Sequence, residues 1–168
     1  RSTVISINWN NQPVYKEFET ETYQYKGETL YGKRHGKGTC RYFEGNSVYE
    51  GSWKMNKEDG DGKFTFPPNC YYDGEFQNGK YHGQGTFLYP DGKRYKGKWL
   101  NGEKNGEGIM FYSNGDCMYT GFWKNGIMDG IGTFVYTNKA IYHGGFENGK
   151  NDGMVGQLTH PSGKVVHC

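Results

Sequence analysis

The sequence predicts an all-β chain: a single-layer, twisted antiparallel sheet of tandem β-hairpin repeats, drawn out as an elongated solenoid with an aromatic groove. Three observations carry that expectation. A Tyr-x-Gly triplet recurs every 23 to 24 residues, Asn-Gly pairs recur in step with it, and the apolar content is low and ring-rich. Hydrophobic residues supply 33% of the 168 positions, aromatics 17%, and 28 residues are glycine, so any core is built from rings with few branched aliphatics. Glycine at that level without a three-residue period excludes collagen, and the regular spacing of the rings argues against a disordered linker.

Residues 1–24 read as an N-terminal β cap or degenerate repeat. Val4 to Trp9 forms a first strand, Asn10 to Pro13 a turn, and Val14 to Glu21 a second strand, whose alternating Glu17, Glu19 and Glu21 discourage edge pairing. The array proper spans 25–163 and divides into 25–48, 49–71, 72–94, 95–118, 119–141 and 142–163. Its triplets begin at Tyr25, Tyr49, Tyr72, Tyr95, Tyr119 and Tyr142, at intervals of 24, 23, 23, 24 and 23. Two residues after each triplet glycine stands a ring, Trp53, Phe76, Trp99, Trp123 or Phe146, with Thr29 in the first unit. A Gly-x-Gly follows in each unit, from Gly36 and Gly38 to Gly130 and Gly132, and the sixth copy is stretched to Gly153 and Gly156.

Turn chemistry fixes the local structure. Asn78-Gly79, Asn101-Gly102, Asn125-Gly126 and Asn148-Gly149 follow the first strands and accept the positive φ that tight hairpins require. A second set, Gly45, Pro68-Asn69, Asp91-Gly92, Asn114-Gly115, Asn138 and Ser162-Gly163, closes the second strands. Each unit is therefore strand, turn, strand, turn, and units add edge to edge. At the far end Pro161 is expected to interrupt the last strand's ladder, leaving 164–168 as a C-terminal tail.

Period-two alternation assigns two faces. Tyr72, Gly74 and Phe76 share one side, as do Gly85, Phe87 and Tyr89, and the intervening polar residues share the other. The groove candidates for a protein or peptide partner are Trp53, Phe64, Tyr72, Phe76, Phe87, Tyr95, Trp99, Tyr112, Tyr119, Trp123 and Phe134, which otherwise serve as core. Leu88, Ile109, Phe111, Phe122 and Val135 point outward and form a second apolar patch for a partner, a twin subunit or a neighbouring segment. Lys93, Arg94, Lys96, Lys98 and Lys104 make a basic cluster, the candidate contact for acidic phospholipid.

The pattern Tyr-x-Gly-x-Trp-x-x-Gly-x-x-x-Gly-x-Gly, clearest in the unit from Tyr95 to Gly108, resembles the membrane occupation and recognition nexus (MORN) repeat. Units two to five match closely, the first and sixth are degenerate, and 1–24 does not match. The resemblance implies a grooved single-layer sheet, with scaffolding at membranes, cytoskeleton, cilia or junctions, dimerisation and peptide capture as family roles.

The charge and chemistry exclude other classes. With 20 basic and 18 acidic residues the net charge is +2, too balanced for a nucleic-acid footprint. No window is long and apolar enough for a membrane span and no signal peptide opens the chain, so a soluble, cytoplasmic protein is expected. The chain begins at Arg1 with no initiator Met, consistent with an excised part of a longer protein. Cys40, Cys70, Cys117 and Cys168, spaced 30, 47 and 51 apart, fit neither a disulfide framework nor a zinc knuckle and read as reduced thiols. His35 and His82 occupy a repeat position that holds Asp59, Asn105, Asp129 and Asp152 elsewhere, which points to turn hydrogen bonding, not acid–base work. The terminal pair His167-Cys168 is too small a ligand set for a metal, and no metal or other cofactor is expected. The expected function is a non-catalytic scaffold that captures a partner on the aromatic groove or the outer patch, in a cytoskeletal, ciliary or membrane-associated setting. The alternatives are a phosphoinositide or membrane attachment module and an accessory repeat region of a larger enzyme, and homodimerisation is a further expectation.

Overall fold

A computed structural model describes residues 11–167, apart from the side chains of 153–155. Fourteen strands run in chain order through one antiparallel sheet. They are β1 (Val14–Glu19), β2 (Tyr23–Leu30), β3 (Lys33–Tyr42), β4 (Val48–Lys54), β5 (Lys57–Phe66), β6 (Cys70–Gln77) and β7 (Lys80–Leu88), then β8 (Arg94–Leu100), β9 (Glu103–Phe111), β10 (Cys117–Lys124), β11 (Ile127–Val135), β12 (Ile141–Glu147), β13 (Lys150–Thr159) and β14 (Val165–His167). At about 4.8 Å per strand the sheet extends roughly 60 Å. It never closes on itself, so its core lies along one face.

The hairpins form where the turn chemistry requires. Asn78 and Gly79 both take positive φ, 52° and 79°, and Asn101-Gly102, Asn125-Gly126 and Asn148-Gly149 repeat the geometry, which matches the right-handed twist of the flanking strands. Each tip also bonds to the preceding hairpin: Gly102 N–H donates to Tyr81 C=O, Gly126 to Lys104 and Gly149 to Met128, all at 2.9 Å. The tips thus stack along one margin.

The register aligns one glycine from each of twelve successive strands. Gly27, Gly38, Gly51, Gly62, Gly74 and Gly85 pair in sequence across β2 to β7, and the row continues through Gly97, Gly108, Gly121, Gly132, Gly144 and Gly156. Beside this row sit the six triplet tyrosines. Each is essentially sealed from solvent, and each phenol donates to the carbonyl three residues on. Tyr25 bonds Glu28 at 2.7 Å, Tyr49 Ser52 at 2.8 Å, Tyr72 Glu75 at 2.8 Å, Tyr95 Lys98 at 2.9 Å, Tyr119 Phe122 at 2.9 Å and Tyr142 Gly145 at 3.0 Å. The acceptor in every case lies where the register shifts next to the glycine row. A bulge frees a carbonyl from the ladder, and the tyrosine hydroxyl satisfies it inside the core.

This arrangement gives the two glycines of Gly-x-Gly different work. The first takes positive φ, as at Gly106 (90°). The second lies under a tyrosine: a Cβ on Gly108 would collide with the ring and hydroxyl of Tyr95, and Gly62, Gly85 and Gly132 meet Tyr49, Tyr72 and Tyr119 in the same way.

Above the glycine row the rings form a continuous edge-to-face ladder. It runs Tyr25, Trp53, Tyr49, Phe76, Tyr72, Trp99, Tyr95, Trp123, Tyr119, Phe146, Tyr142, with centroids 4.9 to 5.6 Å apart and planes near perpendicular. Such pairs are each worth about 1 kcal/mol beyond the area they bury. Links within a repeat alternate with links between repeats, so the ladder also joins the units. Trp53, Trp99 and Trp123 add an indole N–H bond to the carbonyls of Gly38, Gly85 and Gly108 in the preceding unit, at 3.0 to 3.2 Å. Thr29, which replaces the ring in the first unit, is buried and donates to Val14 C=O at 3.0 Å, tying β2 to β1.

The ends differ from expectation. Val14–Glu19 is a strand as anticipated, and Glu17 faces Lys26 across the pair at 2.8 Å. The strand expected at Val4 to Trp9 lies outside the described residues. Pro161 does not interrupt a ladder: it occupies a turn closed by His160 and Lys164 at 2.8 Å, where a fixed φ is an advantage. The chain therefore returns, and the segment expected as a tail, 164–168, contains β14 paired with β13.

Two outcomes are expected. Gly108→Ala should lose about 3 kcal/mol in urea unfolding, through overpacking against Tyr95. Gly102→Ala, with φ of 96° but open space around it, should lose about 1 kcal/mol. The second outcome concerns pH. Burial raises the hydroxyl pKa of Tyr25 and Tyr119 to about 12, and that of Tyr49, Tyr72 and Tyr95 higher still. These phenols stabilise the fold fully below pH 10, the unfolded tyrosine value. The contribution is lost as pH rises from 10 through 12, because only the unfolded chain then releases its protons. Alkaline titration should show tyrosinate absorbance and loss of near-UV circular dichroism in one steep transition above pH 10.

Candidate interaction surfaces

The structure separates the expected groove residues into two groups. Trp53, Tyr72, Phe76, Tyr95, Trp99, Tyr119 and Trp123 are 0 to 6% exposed. They are ladder rungs covered by one another and offer no contact surface, so their role is core. Phe64, Phe87, Tyr112 and Phe134 are half-buried along the distal part of the second strands. Phe64, Phe87 and Phe134 pack with neighbours such as Tyr42, Phe66, Tyr89 and Tyr136: Tyr42 stacks on Phe64 at 5.9 Å and Phe66 lies 5.9 Å from Phe87, while the Tyr112 hydroxyl donates to Val135 C=O at 2.8 Å. Beside this strip is a small hollow of about 260 Å³ lined by Phe64, Phe66, Tyr81 and the hairpin tips at Gly79 and Gly102. Over the ladder itself, ring-on-ring packing closes the aromatic face.

The larger hollows lie on the opposite, polar face, along the reverse side of the glycine row. One, of about 720 Å³, is floored by Gly27, Gly38, Gly51 and Gly62 and walled by charged residues, including Lys26, Lys63, Asp61 and Asp73. The second, of about 550 Å³, is floored by Gly97, Gly108 and Gly121 and walled by Lys96, Lys98, Ile109, Phe111 and Phe122. A residue without a side chain leaves the backbone itself as the floor, so a row of glycines flanked by long side chains is a trough.

Three residues of the expected second patch, Ile109, Phe111 and Phe122, meet in this trough. Leu88 and Val135 are half-buried and lie outside its lining. Phe111 carries the Arg94 guanidinium over its ring at 4.7 Å, and Phe122 is 46% exposed. The sequence reading missed Ile131 and Ile141, which are 55% and 40% exposed. Ile131 lies between Gly130 and Gly132, so alternation alone places it outside.

The basic cluster does not hold together. Arg94, Lys96 and Lys98 project from β8 on the polar face and are exposed. Lys93 is engaged by Asp91 at 2.7 Å in the preceding turn. Lys104 is on the other face, its ammonium 4.2 Å from the Trp123 ring centre, 5.6 Å from Tyr95 and 6.0 Å from Tyr89. Its pairing with Trp99 across β8 and β9 puts it on that side. Arg34, at the same repeat position, covers Trp53 at 4.2 Å, and Tyr81 meets Trp99 at 5.4 Å, so this position seals the next unit's tryptophan.

No group of three or more His, Cys, Asp or Glu among the described residues could hold a metal. Cys40, Cys70 and Cys117 are free thiols, and Cys168 lies outside the described residues, which leaves the His167-Cys168 pair undescribed there. Of the turn position shared by the histidines, Asp59 accepts from Asn78 N–H at 3.1 Å as anticipated. His35 and His82 do not reproduce that bond: their Nδ1 atoms are buried without a partner.

Burial among rings pushes the Lys104 ammonium pKa down to about 8. Its folded value lies below the unfolded one, so its charge opposes folding below pH 8, and that opposition fades as pH rises from 8 towards the ordinary lysine range. A lysine Cε NMR titration should show one midpoint near pH 8 that is missing from Lys104→Met, and Lys104→Met should be the more stable protein at pH 7.

The MORN repeat pattern matches residues 25–47, 49–71, 72–94, 95–117 and 119–140, the first unit included. The hairpin of β12 and β13 continues the architecture past the last match. MORN repeat-containing protein 3 of Xenopus laevis is 32% identical over a stretch covering 32% of this chain, and the chain spans 29% of that relative's length. With five matched units across most of its length and the hairpin sheet they specify, the chain belongs to the MORN repeat family.

Proposed function

We propose that the chain is a non-catalytic scaffold that captures an extended segment of a partner protein in the trough on its polar face. The observation that carries this reading is the meeting of Ile109, Phe111 and Phe122 over a glycine floor, in a hollow of about 550 Å³. Ile109 and Phe111 are half-buried and Phe122 is exposed, and apolar side chains left open to solvent in a concavity are the usual mark of a contact site. The aromatic face supports the reading in part, since its ladder rings are sealed from solvent and the hollow beside its half-buried strip is the smaller one, about 260 Å³. Membership of the family suggests a cytoskeletal, ciliary or membrane-associated assembly as the setting. Attachment to acidic phospholipid is a weaker reading, because Lys93 is paired and Lys104 faces the other way, leaving Arg94, Lys96 and Lys98.

A displayed random-peptide library, selected on the wild-type chain, should yield segments that bind with micromolar affinity. Phe111→Ser combined with Phe122→Ser should weaken them at least tenfold with unchanged circular dichroism, whereas Phe66→Ser on the aromatic strip should not. Failure to enrich any segment, or equal binding to the double variant, would refute the scaffold reading.

A further inference from the structure

The trough is zoned along its length, and the zones fall on alternate strands. On β6, Asp73 and Glu75 flank the glycine row, both exposed. On β8 the flanking pair is Lys96 and Lys98, also exposed, and neither makes an ion pair among the described residues. On β10 the flank carries Phe122, with exposed Ile131 on the next strand. The strands between contribute chiefly uncharged side chains: Gln84 and Thr86 on β7, and Ile109 beside Glu107 on β9. The register fixes the order, since Asp73 pairs with Thr86, Thr86 with Lys96 and Lys96 with Ile109. Read from β6 to β10, the trough is mainly negative, then positive, then apolar, one zone per repeat, with Lys63 opposite Asp73 and Glu107 beside the lysines as the opposite charges at the borders.

One repeat is two strands, about 9.6 Å of sheet. A polyproline II segment has three residues per turn and rises about 3.1 Å per residue, so it presents one side chain on a given edge every 9.3 Å or so. A β-strand ligand sends successive side chains to opposite sides and repeats at about 6.7 Å. A helix of the same reach presents its face every 5.4 Å. Only the polyproline II period matches the repeat, and over three zones the mismatch stays below about 1 Å. Polyproline II also suits a partner that must lie on a floor of paired backbone, because it needs no ladder partner.

Resting on the scaffold reading above, we propose that the trough takes a polyproline II segment bearing a basic residue, an acidic residue and a large apolar residue three positions apart. The basic side chain meets Asp73 and Glu75. The acidic one lies between Lys96 and Lys98, and the apolar one packs on Phe122 and Ile131. Lys96 and Lys98 share the hollow with Glu107 yet close no ion pair with it among the described residues, which leaves both ammonium groups open to a ligand's counter-charge.

The test uses the whole chain and fluorescence anisotropy with labelled peptides built on a proline background. One peptide carries Lys, Glu and Phe at three-residue spacing, a second is the same order reversed, and a control carries them at four-residue spacing. The in-register peptide, in one of its two directions, should bind at least tenfold more tightly than the control. Lys96→Glu with Lys98→Glu should lose that peptide and regain binding when its Glu is replaced by Lys. Both substitutions are on exposed positions, and circular dichroism monitors the fold. Equal binding of in-register and control peptides, or an unchanged affinity in the charge-reversed variant, overturns the proposal. So does binding by neither, and library segments lacking the spacing would then leave the scaffold reading standing while this one falls. Sedimentation with phosphatidylserine vesicles that depends on Lys96 and Lys98, with no peptide affinity, overturns it in favour of a lipid surface.

Discussion

Everything in this sheet depends on the bond from each triplet tyrosine hydroxyl to the bulged carbonyl three residues on. The bulge bends the strand and frees a carbonyl that would be costly to bury unpaired. The phenol reaches it only because the glycine beside it has no Cβ. Tyrosine, bulge and glycine are thus one unit, and each makes sense only with the other two. That unit is repeated six times at distances of 2.7 to 3.0 Å. Phenylalanine in the tyrosine place would fill similar volume and leave six carbonyls stranded.

A single sheet has no second layer to bury its apolar face. This chain solves the problem laterally: Tyr49, Tyr72, Tyr95 and Tyr119 are each covered by the indole or phenyl ring of their own unit and that of the next, and the tyrosine–aryl alternation runs the length of the array. Stability is then a nearest-neighbour property, as in other repeat architectures. The cations and ring that cover the tryptophans, Arg34, Lys104 and Tyr81, belong to the same arrangement. They seal the exposed side of an indole whose other side already packs on tyrosine.

The same glycine row has opposite consequences on the two faces. Toward the rings it admits the tyrosines; away from them it leaves a bare backbone floor between rows of long side chains. The trough is a by-product of the way the core is packed. It exists wherever the glycine row does, and only its walls vary between repeats. The core leaves the wall residues free to vary, charged at β6 and β8 and apolar at β10.

Much of this was legible in the residues alone. The period, the Asn-Gly hairpins, the order of strands and the two faces follow from local chemistry, because turn geometry and side-chain alternation act over only a few residues. The outward placement of Ile109, Phe111 and Phe122 follows from the same alternation. What the sequence could not decide was which side would be open. Trp99 and Trp123 carry the same signal whether they line a groove or form a core, and only the packing of one repeat on the next shows that they are sealed. The turn at Pro161 and the return of β14 depend likewise on pairing with β13. The trough needed the register of twelve strands at once, since a glycine becomes part of a floor only when its neighbours across the sheet are glycines too.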